Sequence, residues 1–167
     1  MKRQILIILC VIVLMGMLTI GCSKSSGKSR NVEGDLSDLV QKIYDNLDGS
    51  VEIPPVMEME LTEEGTQFNP NIEYFVGVKG LPFKEAVVSE AAIGAHAYSL
   101  VLLRMEPDAD IEAVKKSIKD NVDPQKWICV GVDPKDVVVD GIGDLVILIM
   151  SEHSKELQKA FLKLGEQ

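Results

Sequence analysis

The chain has 167 residues, 46% of them hydrophobic and 26% charged, with a formal net charge of −9 at pH 7. That length suits one domain with a real core. Residues 35–167 carry 12 Lys+Arg against 25 Asp+Glu, a net −13, so the body lacks the basic footprint that nucleic-acid binding needs and no nucleic-acid partner is expected.

The first 22 residues have the three parts of an export signal. Lys2 and Arg3 form a positive start, Ile5 to Met15 an unbroken apolar stretch, and small Gly21 sits just before Cys22. Even counted from Ile5 to Ile20 the apolar run is 16 residues, short of the roughly 20 that cross a bilayer as a helix. An uncleaved anchor is the competing reading. Leu18-Thr19-Ile20-Gly21-Cys22 resembles the bacterial lipoprotein signal, whose aliphatic and small-residue box ends in the cysteine that receives a diacylglycerol and becomes the mature N-terminus. The family prefers leucine three places before that cysteine, where this chain has Thr19 and carries Leu18 one place further out. The resemblance implies that residues 1–21 are a removed signal peptide and that Cys22 carries fatty chains. It also implies that the protein is held on the extracytoplasmic face of the cell membrane, with the membrane itself as one partner.

Ser23 to Gly34 has a single apolar residue, Val32, and reads as a flexible tether completing a 22–34 segment. Twelve such residues have a root-mean-square reach of about 20 Å. Lys24, Lys28 and Arg30 against Glu33 leave this segment net +2, and cations beside a membrane are drawn to anionic headgroups. Of the three cysteines, Cys10 leaves with the leader and Cys22 carries lipid. Cys129 is then alone, so the mature chain has no intramolecular disulfide. Its apolar setting, Trp127-Ile128-Cys129-Val130, predicts a small buried hydrophobe rather than a reactive thiol.

Residues 35–167 form the predicted globular domain. Asp35 to Leu47 places Leu36, Leu39, Val40, Ile43, Tyr44 and Leu47 on one helical face, with Asp35 as N-cap and Gly49 as a stop. Val51 to Glu60 follows as extended chain with Pro54-Pro55 and alternating Met57 and Met59 against Val56, Glu58 and Glu60, the pattern of an edge strand. Asn69 to Gly80 is turn-rich, with Tyr74, Phe75 and Val76 expected to pack under a sheet. Ala86 to Ile93 and Ala97 to Met105 read as a hairpin about Gly94-Ala95-His96. A helix is expected over Asp108 to Val122, facing inward through Ile111, Val114, Ile118 and Val122. Val137 to Val139 and Leu145 to Met150 form a second hairpin about Asp140-Gly141-Ile142-Gly143. Ser151 then caps a last helix with the stripe Leu157, Ala160, Phe161 and Leu164, and with Lys159, Lys163 and Gly165 at its end. Hairpins followed by helices predict an α+β fold, an antiparallel sheet with a β-β-α-β-β-α order after an extra N-terminal helix, and its helices on one face.

The stretch from Asp35 to Leu164 resembles a family of Gram-positive lipoproteins whose soluble domain is a domain of unknown function. The resemblance is carried by Leu100-Val101-Leu102, Val114, Ile118, Trp127, Val137-Val138-Val139, Leu145-Val146-Ile147 and Phe161. It implies an exported, membrane-anchored domain and carries over no activity.

The candidates for chemistry each have a plainer explanation. His96 falls in a predicted turn and His153 in the first turn of a helix, so both are read as surface histidines and not as a ligand pair. Asp108-Ala109-Asp110-Ile111-Glu112 starts like a calcium loop, but Ala113 stands where such loops need glycine and Lys119 where they need glutamate. Met57 and Met59 offer two thioethers to a soft metal, yet on a strand they simply share a face. Gly141-Ile142-Gly143 lacks the third glycine and following helix of a phosphate loop. No serine sits in a nucleophile elbow. Glu63-Glu64 and Asp133/Asp136 have no spacing that makes them a catalytic pair. No catalytic residue, metal ligand or cofactor is assigned. The expected function is a non-catalytic binding or interaction module for a protein or envelope ligand, and the alternative is a carboxylate-based envelope hydrolase.

Overall fold

Asp35 opens the first helix as its spacing predicts, its carboxylate accepting the Ser37 N–H at 2.9 Å. The computed structural model describes residues 31–67 and 70–166, so the leader, Cys22 and the tether up to residue 30 lie outside the described residues. The elements are α1 Leu36–Asp45, β1 Val56–Glu60, α2 Ile72–Val76, β2 Phe83–Ala91, β3 Ser99–Met105, α3 Ile111–Asn121, β4 Val137–Ile142, β5 Leu145–Met150 and α4 Ser154–Leu162. Short 3-10 turns occupy Pro134–Asp136 and Lys163–Glu166.

The strands form one five-stranded sheet in the order β1-β2-β3-β5-β4, every neighbouring pair antiparallel. The fold is α+β, and the two expected hairpins share the sheet. β1 is an edge, as its prolines and alternation suggested. α3 carries the chain from β3 to the far edge, and the β4–β5 hairpin returns it beside β3. That hairpin turns at Gly143 and Asp144, and Gly143 has φ +58 at the first turn position, which the type II′ turn requires.

The helices do not lie on one face, and here the expectation is corrected. α1 and α4 cover one side of the sheet, where Leu39, Ile43, Leu157 and Phe161 meet Leu100, Leu102, Ile147 and Ile149. α2 and α3 cover the other, where Ile72, Phe75, Val114 and Ile118 meet Val88, Val101, Val146 and Leu148. The cause is in the central strands. Every residue of β5, LVILIM, is buried, and a sheet with one wet face would alternate apolar with polar instead. Each Leu or Ile so buried stabilises the fold by about 1.5–3 kcal/mol relative to exposure.

The turn-rich stretch holds a helix that the periodicity did not reveal. Asn71 caps α2 by accepting the Glu73 N–H at 2.6 Å, and Gly77 ends it with φ +73. Only glycine fits at position 77, because a Cβ there would collide with the Asn121 carbonyl and the Val122 nitrogen.

The tether is not free along its whole predicted length. Arg104 on β3 donates to the Val32 carbonyl at 3.0 Å and to the Gly34 carbonyl at 2.7 Å. It also pairs with Asp144 at 3.2 Å and Glu85 at 3.6 Å, while Val32 packs on the α1/α4 core. Residues 32–34 therefore belong to the domain. They fix the chain entry at the sheet end where Arg104, Glu85 and the Gly143-Asp144 turn meet.

Candidate functional site

The opposite end of the sheet gathers loops that are far apart in sequence. β3 begins beside the end of β5, which in turn faces the start of β4, with Ser99 opposite Met150 and Met150 opposite Val137. The segments flanking those residues must converge. They enclose a cleft of about 390 Å³ lined by Glu52 and Pro54, by Ala95 to Tyr98, by Val130 to Asp133 with Asp136, and by Ser151 to His153.

Both histidines thus face one cleft, together with Glu52, Asp133, Asp136 and Glu152. Their separation in sequence hid this. His96 is exposed, as a surface residue should be, while His153 is partly buried. The signal that brings them together is strand order, because a residue before β3 and one after β5 become neighbours only when those strands pair. Among the described residues no lysine or arginine lines the cleft, and of its carboxylates Asp133 is already paired with Lys135 just outside it, so its field is that of Glu52, Asp136 and Glu152.

Local hydrogen bonds hold the lining in place. Ser151 does not cap α4 directly; its hydroxyl accepts the His153 N–H at 3.1 Å, and its carbonyl accepts the Ser154 N–H at 3.0 Å. This turn sets His153 at the N-cap of α4. Asp133 caps the Pro134–Asp136 turn, accepting the backbone N–H and the ammonium of Lys135, each at 3.0 Å. Those bonds hold the Asp133 carboxyl below its usual range. At the back of the cleft Tyr98 is buried, its hydroxyl 2.9 Å from that of Tyr44, which donates to Ser89 Oγ at 2.8 Å. Burial, then the neighbouring Tyr44, raises the Tyr98 phenol well above its normal value and keeps it neutral.

The loop carrying Val130 to Asp133 is fastened by a cation inside the protein. The Lys126 side chain is only 3% exposed and pairs with Glu90 at 2.9 Å, with Ser99 Oγ at 3.2 Å. Trp127 Nε1 donates to the other Glu90 oxygen at 2.7 Å. The ammonium lies 4.2 Å from the Phe75 ring centre, 4.9 Å from Trp127 and 5.2 Å from Tyr74, within the range of cation–π attraction. Burial pulls the Lys126 pKa down, with Glu90 opposing.

Cys129 is corrected here. It is exposed, and Ile128 beside it is fully exposed at 101%. The apolar run Trp127 to Val130 is no strand. Trp127 is drawn in by Glu90 and Lys126, Val130 turns back to the cleft, and the two residues between them form the loop's outer tip.

The other candidates resolve into structure. Asp110 caps α3 by accepting the Ala113 N–H at 3.1 Å. Met59 packs on the α2/α3 core, and Met57, on the same face, is 51% exposed. Gly141-Ile142-Gly143 is hairpin. Glu63 accepts the Gly80 N–H at 2.5 Å, while Asp133 and Asp136 go to the cleft. Among the described residues no three His, Cys, Asp or Glu side chains are placed to hold a metal ion, and no helix is long and apolar enough to cross a membrane. The sequence matches no protein-family model, and no curated protein or solved structure matches it.

Proposed function

We propose that this is an extracytoplasmic lipoprotein held to the cell membrane by lipid on Cys22, and that its domain is a non-catalytic binding module for a cationic envelope ligand. The observation that carries the reading is the opposition of the two ends. The chain enters at Arg104, and the cleft opens at the far end of the six-residue β5, roughly 20 Å away at about 3.3 Å per residue. An anchor on the entry side directs the cleft away from the bilayer.

The cleft's chemistry selects the ligand class. Glu52, Asp136 and Glu152, with Asp133 beside them and no lining cation among the described residues, attract a positively charged group and speed its encounter. Asp133 is held ionised by the backbone N–H and the ammonium of Lys135, which suits a fixed negative charge at the cleft rim and not a proton donor. The test is site-specific photo-crosslinking in intact cells, with the photoreactive residue placed at His96 in the cleft or at exposed Asp108, near the entry end. Discrete adducts from position 96 and none from position 108 are expected. Equal adducts from both positions, or none from position 96, would contradict the proposal.

A further inference from the structure

We propose that the free edge of β1 is a second binding surface, one that takes an extended peptide strand with basic residues on one face and apolar residues on the other. β1 is the sheet's outer strand on this side. The Leu61 N–H donates to the Ala86 carbonyl and the Ala92 N–H to the Pro55 carbonyl, both at 2.8 Å. Residues 55 and 61 therefore aim their backbones at β2, and by the two-residue period so do Met57 and Met59. Val56, Glu58 and Glu60 aim theirs outward.

The next residue in the outward series shows that this edge accepts a strand. The Thr62 N–H donates to the Pro70 carbonyl at 3.3 Å and the Thr62 carbonyl accepts from Ile72 at 2.9 Å, forming a parallel bridge with Asn71. Among the described residues nothing pairs with the outward backbone groups of Val56, Glu58 and Glu60.

Charge selects the occupant. Glu58 and Glu60 are exposed, project to one face, and make no ion pair among the described residues. Half-exposed Met57 and partly buried Met59 project to the other. A second copy of β1 would set glutamate against glutamate, and like charges directly opposite on paired strands repel. A strand alternating lysine or arginine with an aliphatic residue instead places each cation beside a glutamate and each aliphatic side chain beside a methionine. Backbone bonds supply the pairing and the alternation supplies specificity.

The experiment titrates the full-length protein in detergent with labelled, end-blocked peptides of about eight residues, an ordinary strand length. One alternates Lys and Val, one has the same composition in two blocks, and one alternates Glu and Val. Saturable binding of the alternating Lys/Val peptide is expected, with the block and Glu/Val peptides weaker by about tenfold or more, a difference of 1.4 kcal/mol. Replacing Glu58 and Glu60 together by lysine should reverse the preference toward Glu/Val. Glu58→Pro removes an outward N–H while sparing every bond between β1 and β2. It should abolish binding with the thermal midpoint nearly unchanged. Equal affinity for the alternating and block peptides would reduce the effect to bulk charge and overturn the proposal. So would full binding by Glu58→Pro or by the double lysine variant.

Discussion

Arg104 fastens one end of this sheet and Lys126 the other, and the two fastenings differ in kind. At the entry end Arg104 spreads its planar donors over the Val32 and Gly34 carbonyls and over Asp144 and Glu85, the last of these 58% exposed. At the cleft end Lys126 sits as a point charge among three rings, ion-paired with Glu90 and with both side chains largely out of water. The arginine uses geometry at a wet boundary, whereas the lysine relies on a desolvated pair. A desolvated pair is costly to break, because the survivor stays buried and uncompensated.

The largest effect therefore belongs to Lys126. Lys126→Ala leaves the Glu90 carboxylate with Trp127 as its one strong donor and should cost about 3 kcal/mol in urea unfolding. A loss below about 1 kcal/mol, the ceiling for surface pairs, would show that the latch is not desolvated. Arg104→Ala should cost less, about 1–2 kcal/mol, since water replaces part of what the guanidinium supplies. It should also speed cleavage after Glu33 by a glutamate-specific protease. Unchanged cleavage would mean that residues 32–34 stay docked without the arginine.

A smaller effect appears in the pH dependence. Burial holds the Lys126 ammonium below the usual 10.5. Between its lowered folded value and 10.5 the unfolded chain binds more protons than the folded one, so stability from this group rises with pH in that window. Below both values the cost of burying the charge is fully present. Compared with Lys126→Met, the wild type should gain stability as pH rises toward 10.5; a relative loss would reverse the sign and contradict the latch. The smallest effect is at Cys129, on the tip that the latch leaves outside. Cys129→Ser should leave stability unchanged, and a water-soluble maleimide should label the native and denatured protein at similar rates. Slow native labelling would return the thiol to the interior.

The same contrast explains what could be read from the sequence. The hairpins, α1, α3 and α4 were legible because periodicity and caps such as Asp35 are local. The covering of both faces was written in Leu100 to Leu103 and Leu145 to Met150, whose lack of alternation was open to reading as two-sided burial. α2 is five residues long, too short for a helical period to show. Cys129 misled because apolar neighbours signal burial only where the backbone is regular. The latch and the cleft were invisible for a shared reason: Glu90 meets Lys126, and His96 and His153 come to line one cleft, only once segments far apart in the chain are brought together by the folded sheet.

We propose that lipid on Cys22 turns the entry end of the domain toward the membrane. The most direct measurement feeds cells a clickable fatty acid and compares wild type with Cys22→Ser, together with the mass of the mature chain. Label is expected on the wild type, none on the serine variant, with a mature N-terminus at residue 22. A wild-type chain that takes no label and still begins at Met1 or Lys2 would contradict it.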